Sequence, residues 1–106
     1  MEARRDVFQA IADPTRRQII ELLSGKSLNV NELSEHFDVS RQAVSLHVKI
    51  LEECGLIVVH RRGRERYCEA RLEELEPVTN WIGHCRQFWS QQFRSLDQYL
   101  KTNQQP

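Results

Sequence analysis

Residues 31–55 read NELSEHFDVSRQAVSLHVKILEECG, and residues 56–69 continue LIVVHRRGRERYCE. The first stretch holds two short helical periods separated by a turn. Asn31 is expected to cap a short helix whose apolar contacts are Leu33 and Phe37. Asp38-Val39 reads as a tight turn, and Ser40 as the cap of a second helix running to about Glu53. Val44, Val48 and Leu51 recur at i, i+4 and i+7, which sets one buried stripe and turns Arg41, Gln42, Ser45 and Lys49 outward. Gly55 is placed to end that helix in the left-handed conformation. Leu56–His60, rich in branched side chains, predicts a strand, and Arg66–Glu69 a second. Arg62-Gly63-Arg64 is the expected hairpin tip. Helix, turn, capped helix and basic hairpin, in that order, form the pattern of a winged helix-turn-helix: mainly α with a small β-hairpin wing.

Working outward, Arg4 to Ala12 carries Val7, Phe8 and Ile11 at helical spacing. Asp13-Pro14-Thr15 starts a further helix, with Asp13 as cap, Pro14 in the first position, and Ile19, Ile20, Leu22 and Leu23 as its buried face. Ser24-Gly25-Lys26 ends it. From Glu74 to about residue 102 a long helical period returns. Leu75, Val78, Ile82, Cys85, Trp89, Leu96 and Tyr99 mark its apolar stripe, interrupted at Gln92 and widened by Trp81, Phe88 and Phe93. Pro77 is tolerated there because it falls in the first turn, where backbone donors have no helical partner. No repeat or Gly/Ser linker divides the 106 residues, so residues 1–106 are expected to form one domain with an extended C-terminal helix.

Lys+Arg and Asp+Glu balance at 15 each, but the charges are not spread evenly. Residues 39–51 carry +2 with no acid, and residues 60–66 carry +3, from Arg61, Arg62, Arg64 and Arg66 against Glu65. Local potential rather than net charge steers a phosphate backbone. An α-helix fits the major groove, and the side chains that reach base edges lie on its outer face near its N-terminus. Arg41, Gln42 and Ser45 meet that condition. Arginine can pair bidentately with guanine, and glutamine with adenine. Ser40 can cap the helix and reach a phosphate, while Lys49 is placed for the backbone. Arg62 and Arg64 are expected along the phosphates or in the minor groove. His47 stands between the inner stripe and the groove and is compatible with a DNA contact or a hydrogen bond inside the domain. Solvation alone would explain any one of these residues; the acid-free helix followed by an arginine-rich hairpin favours double-stranded DNA.

The run Val7-Phe8-Gln9-Ala10-Ile11-Ala12-Asp13-Pro14-Thr15-Arg16-Arg17-Gln18-Ile19-Ile20 resembles the opening signature of the ArsR/SmtB family of repressors. Ser40–Leu51 resembles that family's recognition helix, and Cys54-Gly55-Leu56-Ile57 continues the pattern. The tail, with Arg86-Gln87-Phe88-Trp89, resembles a subgroup not built around metal sensing. The resemblance implies a homodimer formed by the first and last helices, acting as a repressor of its own or neighbouring genes at a pseudo-palindromic operator. The interface residues it points to are Val7, Phe8, Ile11, Trp81, Ile82, Cys85, Phe88, Trp89, Phe93 and Leu96. The sequence also departs from the family. Arsenic and cadmium sensors carry Cys-x-Cys where this chain has Asn29-Val30-Asn31, and asparagine cannot supply a soft thiolate. The zinc-sensing set of the last helix is reduced to His84 and Cys85, whose side chains point about 100° apart on a helix. No metal or other cofactor is therefore expected.

Cys54, Cys68 and Cys85 are odd in number and lack a CxxC pair, which favours free thiols in a reducing cytoplasm. Cys54 and Cys85 read as packing residues, and Cys68 is less determined. A thiol-redox or metal-responsive repressor using one of them is the alternative within the same fold. The N-terminal residues show no secretory signal, and no apolar run approaches the ~20 residues of a membrane helix. No phosphate-cradling glycine loop, carboxylate pair or nucleophile–histidine set points to an enzyme. A winged domain used for protein contacts is disfavoured by the basic wing and the acid-free recognition face. The aromatic stripe of the last helix exceeds what a winged domain of ~75 residues hides, and a two-fold dimer would cover it.

Overall fold

The computed structural model describes residues 6–104, and these form two compact units that divide after Glu76. The expected helix start at Arg4 lies outside the described residues. The first unit contains helices α1 (Val7–Ala10), α2 (Pro14–Leu22), α3 (Val30–Ser34) and α4 (Arg41–Glu53). Its strands are β1 (Leu28–Asn29), β2 (Ile57–Arg62) and β3 (Glu65–Ala70). A 3₁₀ turn (Leu72–Leu75) leads to α5 (Glu76–Gln104), which belongs to the second unit from Pro77 onward.

Local chemistry sets most of these boundaries. Asp13 caps α2, its carboxylate accepting the N–H groups of Thr15 and Arg16 at 2.8 and 3.2 Å, with Pro14 in the first turn. Ser40 Oγ accepts the N–H of Ala43 and starts α4. That helix ends as expected. Gly55 has φ +82°, Leu56 N–H donates to the Leu51 carbonyl and Gly55 N–H to that of Glu52, which together make a Schellman closure. Val44, Val48 and Leu51 are buried, and α4 packs against α2, α3 and β2. Ile19, Leu23, Leu33, Leu56, Ile57 and Cys68 complete a core of nearly inaccessible side chains.

Four expectations need correction. The cap of α3 is Asn29, not Asn31. Its side chain accepts the N–H of Glu32 at 2.8 Å while Glu32 Oε1 accepts the N–H of Asn29 at 3.0 Å, a reciprocal capping box that no residue at position 31 completes. α3 then stops at Ser34, leaving Phe37 half-buried in the turn before Ser40. The wing has three antiparallel strands in the order β1-β3-β2, because Leu28 and Asn29 pair with Cys68 and Tyr67. β2 and β3 also reach further than expected. Arg62 pairs with Glu65, so the tip is Gly63-Arg64 alone, with Gly63 at φ +64° in the first turn position. Arg62 is consequently a strand residue. Among the described residues, no helix is long and apolar enough to cross a membrane.

Candidate nucleic-acid interface

The buried stripe of α4 fixes the opposite face. Arg41, Gln42, Ser45 and Lys49 are all exposed, and Ser40 stands at the N-terminal end as the cap. β3 flanks that face. Cys68 points inward and is fully buried, so the period-two alternation puts Arg66 on the same side of the strand. The wing and helix enclose two adjoining clefts. One, of about 350 Å³, is lined by Asn29, Asn31, Arg41, Ser45, Arg64 and Arg66 among others. The second, of about 490 Å³, brings Gln42, Ser45 and Lys49 to Arg66, with Leu46, Val48, Val59 and Cys68 among its walls. Arg41, Gln42, Ser45, Lys49 and Arg64 are thus gathered around Arg66. Sequence reasoning counted Arg66 in the basic patch but gave it no place in the site, although alternation from an inward Cys68 locates it.

Several side chains are held in place before any ligand arrives. Arg41 Nε donates to Asn31 Oδ1. The guanidinium of Arg62 lies over the ring of Tyr67, 5.7 Å from its centroid, and the Tyr67 hydroxyl donates to Glu65 Oε2 at 3.0 Å. That carboxylate holds the Tyr67 phenol above its ordinary value. His60 Nε2 and Glu69 Oε2 pair at 3.0 Å on the exposed wing. His47 turns away from the recognition face. It is half-buried, and its Nδ1 lies 3.4 Å from Arg16 Nη1 and 4.0 Å from Asp13 Oδ2. These contacts match the inward role of the two that the sequence leaves open for His47.

Asn29 and Asn31 use their amide groups in hydrogen bonds to the chain itself, Asn29 Nδ2 donating to Glu65 Oε2 at 2.8 Å. Among the described residues, no group of three or more His, Cys, Asp and Glu side chains is arranged to hold a metal. Cys54 and Cys68 are buried and Cys85 half-buried, and none of the three is in a disulfide. Burial, with a smaller contribution from the charge of Glu52, pushes the Cys68 thiol up to about 11, the opposite of what a redox-active thiolate requires.

The residues expected at a dimer interface divide by unit. In the first, Val7 is only 8% exposed, which leaves it little surface for a partner, while Phe8 is exposed and Ile11 half-buried. In the second, Trp81, Ile82, Phe88, Trp89, Phe93 and Leu96 are all exposed along α5.

The chain is similar to known proteins. The family of bacterial regulatory proteins called the arsR family matches residues 13–59, from the Asp13 cap into β2. Transcriptional repressor SdpR of Bacillus subtilis (strain 168) is 38% identical over 77 residues, covering 73% of this chain and 86% of that one. The arsenical resistance operon repressor of Staphylococcus xylosus is 30% identical over 72 residues, covering 68% of this chain and 69% of its own. Among solved structures, an ArsR-like transcriptional regulator from Rhodococcus sp. RHA1 superposes with a TM-score of 0.74 at 28% identity, over 91% of this chain and 88% of that one. An ArsR family transcriptional regulator superposes with a TM-score of 0.70 at 36% identity, over 78% and 86%. With its capped recognition helix and arginine wing, this chain is a winged helix-turn-helix DNA-binding transcriptional regulator and belongs to the ArsR family.

Proposed function

We propose that the protein is a homodimeric repressor that reads a pseudo-palindromic operator in the cytoplasm, with Arg41 and Gln42 of each protomer at base edges. Ser45 joins them there, Ser40 and Lys49 contact the flanking backbone, and Arg62 and Arg64 of the wing hold phosphates. The observation that carries this reading is the α4 face. Arg41, Gln42, Ser45 and Lys49 are exposed on it with no acid between Arg41 and Lys49, opposite a buried stripe and beside a strand-paired arginine wing, and Glu52 enters the cleft only near the end of the helix. Repression is supported by the relatives described as repressors. Dimerisation is supported by the exposed apolar side chains of α5. Asn29 at the end of β1 and Asn31 in the first turn of α3 are both committed to hydrogen bonds within the chain, which disfavours soft-metal binding there.

Binding isotherms at several salt concentrations test the division of roles. The DNAs are an operator selected by the protein from a random duplex pool and a scrambled duplex. Arg41→Ala or Gln42→Ala should weaken operator binding by ~1–3 kcal/mol and relax the preference at particular bases. Arg62→Ala and Arg64→Ala should weaken binding to both DNAs and flatten the salt dependence by about one unit of slope per lost phosphate contact. If the wing variants keep full affinity while Arg41→Ala acts equally on both DNAs, the roles are reversed.

A further inference from the structure

The three residues that open α3 connect the wing to the reading face. Asn29 belongs to two structures at once, pairing with Tyr67 of β3 as the end of β1 and closing the capping box as the cap of α3. Its remaining amide protons reach the wing, where Nδ2 donates to Glu65 Oε2, the oxygen that also accepts from Tyr67. The backbone at this junction is therefore fixed from the helix side and from the wing side. Two residues later, in the first turn of α3, Asn31 presents Oδ1 to Arg41 Nε. The bond is charge-assisted, and it joins the wing-anchored segment to the first residue of the recognition helix.

The choice of atom matters. Nε lies on the inner edge of the guanidinium, so a bond there sets the plane of the group while the outer fork of Nη1 and Nη2 takes no part in it. That outer fork is a pair of parallel donors of the kind that meets guanine O6 and N7. A long flexible side chain held this way loses part of its rotamer freedom before DNA arrives, which lowers the ordering cost of the complex.

We infer that Asn31 is a positioning residue for base reading. It holds Arg41 in the orientation that recognises its base, and Asn29 with Glu65 transmits the position of the wing to it. The inference rests on Arg41 being a base contact. Asn31 itself is exposed, so its replacement leaves the core intact.

The test uses the full chain with the selected operator and its scrambled counterpart. Asn31→Ala should lower the operator-to-scrambled affinity ratio about tenfold. The salt slope and Tm should stay as in the unmodified protein, because no phosphate contact or buried group is lost. Asn31→Asp, which keeps an acceptor oxygen on the same atom, should restore the ratio even though its charge weakens binding to both DNAs. In an Arg41→Ala background, Asn31→Ala should have no further effect on the ratio. The inference is overturned if Asn31→Ala keeps the full ratio while Arg41→Ala loses it, or if the two losses add independently. If Arg41→Ala itself leaves the ratio unchanged, the base-contact reading fails and the positioning role with it.

Discussion

The carboxylate of Asp13 accepts two backbone N–H groups at the start of α2, and three residues later Arg16 folds back to close the end of α1. Arg16 Nε donates to the Ala10 carbonyl at 2.8 Å and Nη2 to that of Gln9 at 2.9 Å, while Arg17 Nη1 donates to Ile11 at 2.7 Å. The run Asp13-Pro14-Thr15-Arg16-Arg17 thus caps one helix while its arginines satisfy the last carbonyls of another, and through His47 it touches α4. Partial burial pushes the Asp13 carboxyl up, but the N–H of Arg16, the nearby His47, the N–H of Thr15 and the Arg16 charge outweigh it and hold the group below its ordinary value. A carboxyl lowered on folding stabilises the protein above its unfolded value, and that contribution disappears as pH falls through the folded one. Asp13→Ala, which removes the cap, should cost about 1 kcal/mol at neutral pH. Asp13→Asn keeps a cap oxygen and removes only the charge. Its deficit against the unmodified protein should be present at pH 7 and shrink as pH drops below about 4. Urea unfolding across this range checks it. A deficit that grows towards acid would mean that the charge destabilises the fold.

At the level of elements, the loops are set by backbone conformation and the helices by side-chain period. Gly55 closes α4 at φ +82° with nothing within 4 Å of where a Cβ would stand, so Gly55→Ala meets no clash and only the left-handed backbone. That should cost about 1–2 kcal/mol in urea unfolding. Gly83 lies inside α5 without a positive φ and also has open space around a built Cβ. Gly83→Ala should therefore stabilise the helix by about 0.5–1 kcal/mol, the opposite sign for the same substitution. A destabilised Gly83→Ala would show that this face of α5 is packed in the assembled protein. The same distinction explains what the sequence revealed. α2, α4 and the α5 stripe were legible because their apolar residues repeat over several turns, and the Ser40 and Asp13 caps because their residue types are specific. β1 has two residues, too few for any alternation to appear. Asn29 and Asn31 are chemically alike, so only the partner, Glu32 or Arg41, distinguishes cap from brace. His47 was ambiguous because nothing local announces Arg16, 31 residues away, as its neighbour.

For the whole molecule, the decisive contrast is between the two units taken separately. The winged unit buries a core that includes Ile19, Leu23, Leu33, Leu51, Leu56 and Ile57 and leaves only scattered aliphatic side chains such as Leu46 exposed, whereas α5 leaves Trp89 58% and Phe93 65% exposed. Phe88 and Trp89 stand edge to face at 6.0 Å, and Trp89 and Phe93 follow at 6.3 Å, so the rings form one continuous patch. At 100° per residue, the positions from Phe88 to Phe93 span a stripe about 140° wide, a face fit to be buried against another surface. A second copy of the chain would bury it symmetrically and present two recognition helices to one DNA face. The 12.5 kDa chain is therefore expected to sediment at micromolar concentration with twice its mass. Trp89→Glu with Phe93→Asp should convert it to a monomer whose winged unit remains folded, since neither side chain belongs to that unit's core. The functional consequence follows from counting contacts. A dimer neutralises phosphates at two half-sites about one DNA turn, or a multiple of it, apart, and joining the half-sites raises affinity without any new contact. The monomer reaches only one half-site. Its operator affinity should fall steeply, and the slope of log affinity against log salt should drop to roughly half, because that slope follows the number of phosphates engaged. A native chain that sediments at the mass of one copy with the full salt slope would overturn the dimer. A monomeric variant that keeps the full slope would show that one protomer makes all the phosphate contacts.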